Sequence, residues 1–307
     1  VTPVRLAAFL IALRAKGETA DEVAGAASAL LAQAEPVTIA GTTIDLVGTG
    51  GDGLGVVNLA TIAAVVVAST GLTVVKHGGR AASSQAAGSG DVIEQLGQPL
   101  NLTPAQARAI ALGAGIVYLF APCFHTGMRH AASVRRELGV PTIFNVLGPL
   151  LNPARPTHQL VGVASSRFVG VIAEVLAARG TNALVVRGDD GLDKLTVTTT
   201  SRALEVRAGR VNAHVIDPRR FGLPLADIGA LRGSDAAANA DVVRSVLAGQ
   251  RGPIRDAVPL NAGAAYATVA GSGDLEDRIA DGIARCADAI DSGASRATLK
   301  RWIDYGR

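Results

Sequence analysis

Gly48-Thr49-Gly50-Gly51-Asp52-Gly53-Leu54-Gly55 is the stretch that decides the fold, because it joins an apolar β-branched run, Ile44 to Val47, to a helical pattern near residues 57–69. Glycines allow a tight turn and present successive amide N–H groups, and the N-terminus of the following helix adds a partial positive charge. The spacing matches neither the dinucleotide-binding fingerprint nor the P-loop, which needs Lys followed by Ser or Thr. The stretch predicts a phosphate-binding turn between a strand and a helix. The alternative is a glycine-rich turn that binds nothing.

Asp52 is an unusual residue in a turn built only for anions. A carboxylate at this point is explained if it holds a hydroxyl group of the ligand, or a Mg²⁺ ion that bridges diphosphate oxygens. Asp52 therefore favours a ligand with hydroxyls or a metal over a bare anion.

Apolar runs alternate with helical segments along the rest of the chain. Strands are expected at 44–47, 72–75, 115–120, 160–164 and 184–186. Helices are expected near 57–69, 103–112, 129–138, 167–179, 237–248, 256–270, 275–291 and 295–303. The more polar residues 194–206 and 211–216 predict antiparallel strands or a hairpin. This alternation predicts an α/β fold with helices on the faces of the sheet.

The first 35 residues predict two amphipathic helices. Thr2 caps the first, with Pro3 at its first position, and Gly17 ends it. Thr19 and Glu22 have the spacing of a capping box, which starts the second helix.

Composition sets the class of protein. The chain has 307 residues, enough for one large or two moderate domains, and it is 49% hydrophobic but only 3% aromatic. Small side chains must therefore fill the interior. The net charge of +3 suits a small anionic ligand and is too weak to favour nucleic acid. Two widely separated cysteines without metal spacing indicate a reducing cytoplasm.

Residues 53–75 carry no charge, which raises the question of a membrane span. Polar residues and glycines interrupt the stretch, so we expect a buried helix followed by a buried strand. No signal-peptide pattern is present at the start. The chain begins with Val1 rather than Met, so we expect a further N-terminal piece.

A second functional segment, Lys76-His77-Gly78-Gly79-Arg80-Ala81-Ala82-Ser83-Ser84, follows the next predicted strand. The carboxyl ends of strands are where α/β sheets bind ligands. Lys76 and Arg80 can neutralise a pyrophosphate leaving group, and the serines, with Ser89 beyond them, can donate hydrogen bonds to its oxygens. A solvated basic turn is the alternative.

Two further segments carry functional residue types. The helix with Arg129, Arg135 and Arg136, taken alone, is typical of a solvated face, and it leads to an unusual turn from Asn145 to Pro153. Gly188-Asp189-Asp190-Gly191-Leu192-Asp193-Lys194-Leu195-Thr196 places three carboxylates after a strand. Three carboxylates can hold a hard cation, although acidic hairpin turns are equally common.

Taken together and in this order, the four segments resemble the anthranilate phosphoribosyltransferases of tryptophan biosynthesis. The resemblance covers essentially the whole chain, apart from one or two helices that are missing before Thr2. Its specific elements are Gly48 to Asp52, Lys76-His77-Gly78, the Arg135 helix, Asn145 to Pro153 and Asp190-Gly191-Leu192-Asp193.

The resemblance implies a small all-helical domain plus a larger α/β domain with a central mixed sheet. Residues 1–37, with roughly 125–150, would form a helical dimerisation domain, and 38–124 with 151–307 would bind phosphoribosyl pyrophosphate. The partners would be this donor, an aromatic amine carboxylate and a second copy of the chain, with neither nucleic acid nor membrane. The amine would attack the anomeric carbon of the donor and expel pyrophosphate with Mg²⁺. Such a reaction needs charge neutralisation and orientation more than a strong base.

The resemblance also implies roles for individual residues, none of them a general base. Those that would bind the donor are Gly48, Thr49, Gly50, Gly51, Asp52, Asn58, Thr61, Lys76 and Ser84. His77 and Gly79 would border the acceptor, and Arg135 would pair with its carboxylate through two parallel hydrogen bonds, which lysine cannot reproduce. Asp193 would be a metal ligand, with Asp52 as a second candidate.

The chain departs from the family pattern at Ala60, Gly79, Thr126 and Lys194, where Ser, Asn, Pro and Glu are usual, and 85–90 is one residue longer. Lys in place of Glu changes the local charge by two units, so a second Mg²⁺ becomes hard to hold. Our hypothesis is that Lys194 itself replaces one cation near the diphosphate. Gly79 and Thr126 both alter the expected acceptor pocket.

Several functions remain open at this point. The leading one is phosphoribosyl transfer to anthranilate. A second keeps the reaction but uses another aromatic or heteroaromatic acid, as in specialised metabolism. A third is a non-catalytic relative that binds an anionic ligand or nucleic acid, and a nucleoside phosphorylase of similar architecture is more distant.

Overall fold

The computed structural model describes residues 1–80 and 87–306, and its chain begins with two helices. They are α1 (Pro3–Lys16) and α2 (Ala20–Ala32). The Thr2 hydroxyl accepts a hydrogen bond from the Arg5 N–H, and Thr19 and Glu22 bond reciprocally, as a capping box requires. Both predicted helices are confirmed.

A seven-stranded mixed sheet forms the centre of the molecule. Its strands are β1 (Thr43–Gly48), β2 (Thr73–Gly78), β3 (Ile116–Phe120), β4 (His158–Gly162), β5 (Asn182–Gly188), β6 (Ser201–Arg207) and β7 (Arg210–Ile216). The spatial order is β3-β2-β1-β4-β5-β6-β7, with β1 to β5 parallel and β6 and β7 antiparallel at one edge. The predicted α/β fold with a mixed sheet is confirmed.

The remaining helices cover the sheet or extend from its edges. They are α3 (Leu59–Ser69), α4 (Ser89–Gln95), α5 (Pro104–Ala114), α6 (Ala121–Phe124), α7 (Arg129–Leu138), α8 (Phe144–Leu147), α9 (Ser166–Ala178), α10 (Ala236–Leu247), α11 (Pro253–Val269), α12 (Leu275–Asp291) and α13 (Ala294–Gly306). Short 3₁₀ turns lie at Thr126–Met128, Gly148–Leu150, Pro218–Phe221 and Ile228–Leu231.

Two apolar cores lie on opposite faces of the sheet. The larger contains α3, α5, α10 and α11, and the smaller packs α1, α2, α7 and α9 against the other face. The uncharged stretch forms the buried helix α3 and continues into β2, as predicted. In the part of the chain that the structure describes, no helix has the length and apolar content to cross a membrane.

Small residues allow close helix packing, as the composition predicts. A Cβ atom built on Gly263 of α11 would lie 2.5 Å from the Ile283 nitrogen on α12, and one built on Gly282 would lie 2.5 Å from the Gly263 carbonyl oxygen. Alanine at either position would therefore force these two helices apart.

One strand prediction was wrong, and several short helices were missed. Residues 194–200 form a loop, because the Asn261 side chain, rather than a neighbouring strand, accepts from the Leu195 N–H and donates to the Leu195 carbonyl. The helices α4, α6 and α8 have only four to seven residues, too few to show a helical period in the sequence.

Candidate active site

The glycine stretch lies where the order of the strands reverses. The chain passes from β1 to β2 and β3 on one side, while β4 and β5 lie on the other side of β1. At such a point the loops after neighbouring strands separate and leave a crevice, which is where open α/β sheets bind ligands.

A cleft of about 350 Å³ occupies this crevice. The residues singled out in the sequence that line it are Gly48, Thr49, Gly50, Gly51, Asp52, Asn58, Thr61, Lys76, His77, Gly79, Arg135, Asp193 and Lys194. Four segments that are far apart in the sequence therefore meet at one site.

The glycine turn is built around the carboxylate of Asp193. The Gly50 N–H donates to Asp193 Oδ2 over 2.7 Å, and a Cβ atom on Gly48 would lie 2.3 Å from the same oxygen. Gly50 itself has a φ of +67°, in the left-handed region that glycine adopts readily. Glycine is therefore required at both positions for the turn to accept this buried side chain.

Lys194 lies between two carboxylates of the cleft. Its ammonium group donates a hydrogen bond to Asp193 Oδ1, and its Nζ lies 3.8 Å from Asp52 Oδ2. Asp52 Oδ1 accepts from the Leu54 N–H at 3.0 Å, which fixes the carboxylate within the turn. The positive charge of Lys194 thus lies in the wall of the cleft and offsets part of the negative charge of the two carboxylates.

The protonation states of this cluster follow from burial and charge. Burial lowers the pKa of Lys194, but the negative charges of Asp193 and Asp52 outweigh burial and raise it above its usual value. Burial by itself raises the pKa of Asp52, yet the Lys194 charge and the Leu54 N–H bring it below its ordinary value. Lys194 is therefore an ammonium ion at neutral pH, and Asp52 is a carboxylate.

Lys76 contributes a second cation that is almost fully buried. Its Nζ donates to the Leu46 carbonyl oxygen over 2.6 Å. Burial lowers the pKa of Lys76 to about 8, against the opposing effect of the Asp45 carboxylate, and burial raises the pKa of Asp45 to about 6. Lys76 is mainly protonated at neutral pH, but its pKa lies only a little above pH 7.

Thr61 and Asn58 differ in what they offer to a ligand. The Thr61 hydroxyl is buried on α3 and has no hydrogen-bond partner among the described residues, so it can donate to an oxygen placed in the cleft. Asn58 donates to the Ala87 carbonyl at 2.9 Å and accepts from Asn239 at 3.0 Å. Asn58 therefore holds the walls of the cleft in place.

His77 is a buried, neutral imidazole. Its Nδ1 lies 3.3 Å from the Gly148 carbonyl oxygen, while Nε2 is buried and has no partner within residues 1–80 and 87–306. Its ring meets that of His125 edge-to-face at 5.3 Å. Burial and the neighbouring His125 lower the pKa of His77 to about 3. The Gly148 contact places the proton on Nδ1, which leaves Nε2 as an acceptor.

Arg135 lines the end of the cleft that is formed by α7 and α8. Its guanidinium lies 5.2 Å from the centre of the Phe144 ring, and it has no carboxylate partner among the described residues. Burial lowers its pKa, which nevertheless leaves an arginine charged. This end of the cleft can bind a carboxylate attached to an aromatic ring.

Sequence and structure comparisons with known proteins agree with this site. Residues 40–296 match the family described as "Glycosyl transferase family, a/b domain", and residues 1–34 match its helical bundle domain. The chain is 52% identical to the anthranilate phosphoribosyltransferase of Streptomyces griseus over 98% of this chain and 85% of that protein. The chain belongs to the anthranilate phosphoribosyltransferase family.

Solved structures of this family have the same fold. The anthranilate phosphoribosyltransferase of Thermus thermophilus superposes with a TM-score of 0.93 at 40% identity, covering 100% of this chain and 91% of that one. The Saccharomyces cerevisiae enzyme, in complex with PRPP (phosphoribosyl pyrophosphate) and Mg, gives a TM-score of 0.90 at 29% identity, covering 99% and 85%.

Two residues expected to contact phosphate, Arg80 and Ser89, line the cleft and also have partners within the protein. Arg80 pairs with Asp91 at 2.7 Å and Glu94 at 2.8 Å, so its charge is already balanced. The Ser89 hydroxyl lies 3.0 Å from the Tyr118 hydroxyl, on the wall of the cleft. Ser84, expected to bind the donor, lies outside the described residues.

The three-carboxylate metal site expected after β5 is not formed. Asp190 accepts hydrogen bonds from Thr196 and Thr198 within its own loop, and Asp189 accepts from Thr200, while only Asp193 faces the cleft. Within residues 1–80 and 87–306, no three His, Cys, Asp or Glu side chains are arranged to hold a metal ion.

The sequence reasoning missed two buried polar residues beneath the cleft. Asp45 Oδ1 accepts from the His77 N–H at 3.2 Å, and its Oδ2 accepts from Asn152 Nδ2 at 2.8 Å. Asn152 also donates to the Val75 carbonyl over 2.7 Å. A carboxylate between Ile44 and Leu46 was the available signal, since a charged residue inside a buried strand requires partners.

Proposed function

We propose that this chain transfers the 5-phosphoribosyl group of phosphoribosyl pyrophosphate to the amine of anthranilate, giving N-(5-phosphoribosyl)anthranilate and pyrophosphate for tryptophan biosynthesis. The observation that carries the proposal is that one cleft is lined by Lys76, Lys194 and the glycine turn together with Arg135; we assign the former to a donor end and Arg135 to an acceptor end. Family membership and this arrangement of charges point to the same reaction.

The donor end of the cleft can receive a diphosphate. Amide groups of the turn Gly48 to Gly51, the Thr61 hydroxyl and the Lys76 ammonium offer hydrogen bonds and positive charge to its oxygens. Asp52 faces the same space and can accept from a ribose hydroxyl or meet a metal. Thr49 lies in the turn with its hydroxyl bonded to the Ala164 N–H at 3.1 Å, so we assign it a positioning role.

The acceptor end can hold anthranilate by its two substituents. We assign its carboxylate to Arg135, and one amine hydrogen to the unpartnered Nε2 of His77. A neutral imidazole with its proton on Nδ1 can accept from the amine and so orient the nitrogen lone pair. Gly79 borders this end, and a Cβ atom there would meet no described residue within 4 Å.

The reaction forms one bond and breaks one. The amine nitrogen attacks the anomeric carbon, the bond from that carbon to the pyrophosphate oxygen breaks with its electron pair, and the amine loses a proton to solvent or to a released phosphate oxygen. An aniline nitrogen is nucleophilic without prior deprotonation. The protein therefore contributes orientation and charge stabilisation of the leaving group, and these are large effects in a water-poor cleft.

Mg²⁺ fits as an ion that accompanies the donor. It supplies Lewis-acid neutralisation of the pyrophosphate oxygens when bound. Proteins hold Mg²⁺ through one or two carboxylates together with substrate phosphates, and Asp52 and Asp193 are the carboxylates at this point. Since the described chain forms no three-carboxylate cage, the diphosphate itself must provide part of the coordination.

Lys194 takes the place of a second, protein-held cation in this proposal. Its ammonium group is hydrogen-bonded to Asp193 and lies 3.8 Å from Asp52 Oδ2, so a second divalent ion beside these two carboxylates would meet a like charge. The leaving group would then be stabilised by one Mg²⁺ and two lysines. This assignment rests on the proposed transfer reaction.

We further propose a homodimer formed through residues 1–37 and roughly 125–150, with 38–124 and 151–307 as the donor-binding domain. The side chains of Val4 and Phe9 on α1 are 78% and 60% exposed, beside an apolar groove lined by Leu6, Leu13 and Phe144. A second copy of the chain would cover this surface. Unpaired cysteines and the two substrates favour the cytoplasm as the place of action.

One assay tests the proposed function. The protein is incubated with phosphoribosyl pyrophosphate, Mg²⁺ and anthranilate, and the loss of anthranilate fluorescence is followed together with pyrophosphate release. We expect one pyrophosphate per anthranilate consumed. If the donor binds in calorimetry but anthranilate is not consumed, a different aromatic acid is the acceptor. No donor binding would exclude the proposed reaction.

A further inference from the structure

A second cleft, of about 450 Å³, lies away from the active site. Thr157 and Thr181, which directly precede β4 and β5, form part of its wall, so the cleft lies at the amino ends of the strands. Helix α2 closes the other side with Ser28 and Leu31. The segment from Gly148 to Asn152 separates it from the active-site cleft.

Two arginines face this second cleft without an acidic partner. Arg155 and Arg179 line it, none of the described lining residues is Asp or Glu, and neither arginine forms an ion pair with any described carboxylate. Both guanidinium groups line the same cleft, and burial, together with the charge of Arg155, lowers the pKa of Arg179.

Arg179 is held in place by a single bond that leaves most of its donors free. Its Nη1 donates to the Leu150 carbonyl oxygen over 2.8 Å. A guanidinium has five N–H donors, so the others remain available on the side of the cleft. A cation at the C-terminal end of α9 is also favoured by the helix dipole, which explains Arg179 but not Arg155.

Arg155 keeps an unfavourable backbone conformation. Its φ of +48° lies in the left-handed region, which is sterically unfavourable for a non-glycine residue. The turn is closed by the Arg155 N–H, which donates to the Asn152 carbonyl oxygen over 3.0 Å, and glycine would satisfy that geometry without strain.

We propose that this cleft is a second anion-binding site, for the carboxylate or phosphate group of a small metabolite. Two guanidinium groups that repel each other are stabilised by an anion placed between them, and planar guanidinium groups pair with both kinds of oxyanion. Leu31, Pro149 and Pro156 give the same cleft apolar walls, so the ligand has an apolar body as well as a charged group.

Calorimetric titration with two probes, inorganic phosphate and benzoate, tests the site. Arg155→Gly removes one guanidinium and also relieves the backbone strain, so the variant should fold at least as well as the parent. Arg179→Gln provides an independent second variant. Ala208→Gly is the matched control, because Ala208 has the same φ of +48° but lies in the turn between β6 and β7.

We expect the parent and Ala208→Gly to bind one more equivalent of anion than Arg155→Gly and Arg179→Gln, or to bind it at least 10-fold more tightly. The active-site cleft contributes equally to all four proteins, because none of the substitutions lies in it. If the two arginine variants lose binding of phosphate only, or of benzoate only, the probe whose binding is lost is the oxyanion that the site prefers. Identical isotherms for all four proteins with both probes would overturn the proposal.

Discussion

The ammonium group of Lys194 hydrogen-bonds to Asp193 and lies 3.8 Å from Asp52 Oδ2, which places it between the two carboxylates of the cleft. The charge that offsets these carboxylates is therefore part of the polypeptide. Because a divalent ion cannot share this position with an ammonium group, we expect the identity of residue 194 to control how many metal ions the donor end can hold.

Substitution of Lys194 should change the Mg²⁺ requirement. We expect Lys194→Ala to lower kcat/KM for the donor about 10- to 100-fold, as loss of a charged contact to the leaving group does, and excess Mg²⁺ to restore it. Lys194→Glu should in addition bind Mn²⁺ in the absence of substrates, measured by electron paramagnetic resonance.

The matched control for Lys194 is Arg202→Glu, which makes the same change of charge beside Asp189, 3.3 Å away and outside the cleft. It should gain no metal. An unaffected Lys194→Ala enzyme would contradict the assigned role, and because Mn²⁺ binding does not depend on turnover, that readout remains valid even if the acceptor is not anthranilate.

The pH dependence of donor use should report Lys76. Since its pKa is lowered to about 8, kcat/KM for the donor should fall as the pH rises through that value and the ammonium loses its proton. Asp45→Asn removes the carboxylate that raises this pKa, so the fall should begin about one pH unit lower. An unchanged or more alkaline limb in Asp45→Asn would show that Lys76 is not the titrating group.

A methyl group on Gly48 should disturb the cleft through Asp193. The added Cβ would lie 2.3 Å from Asp193 Oδ2, so the carboxylate must move and its bond from the Gly50 N–H must break. We expect Gly48→Ala to reduce kcat/KM for the donor by at least about 10-fold, as loss of a positioned contact does. Gly170→Ala on α9, where a Cβ meets nothing within 4 Å, is the control and should retain full activity.

His77 should act as a neutral acceptor. Because its pKa is about 3, kcat/KM for the acceptor should show no ionisation of His77 between about pH 5 and pH 7. His77→Asn can keep the bond to Gly148 but lacks an acceptor at the Nε2 position, whereas the longer His77→Gln can provide one. Steady-state kinetics should show about a 10-fold loss for the first and partial recovery for the second; equal losses would argue against a role for Nε2.

Much of the fold could be predicted because buried parallel strands are short apolar runs. The strands near Ile44 and Leu184 and the capped helix after Thr19 all follow from local patterns. Residues 194–200 could not be assigned in this way, since their β-branched threonines favour strand locally, while the partner of Leu195 is Asn261, 66 residues later.

The candidate site was predictable as a set of strand ends, but its pairings were not. Asp52, Lys76 and Asp193 meet in one cleft, as the order of segments indicated. The ion pairs of Arg80 could not be predicted, because its partners Asp91 and Glu94 lie on α4, a helix too short to recognise in the sequence. The sequence does not show which of several acidic residues faces the cleft, because that depends on the hydrogen bonds within each loop, such as those that hold Asp189 and Asp190.

The most direct measurement is a comparison of both Michaelis constants in Arg135→Ala and Lys76→Met. If the cleft has a donor end and an acceptor end, Arg135→Ala should raise the KM for anthranilate far more than the KM for phosphoribosyl pyrophosphate, and Lys76→Met should do the reverse. Equal effects of either substitution on the two constants would contradict the two-ended cleft and the residue roles built on it.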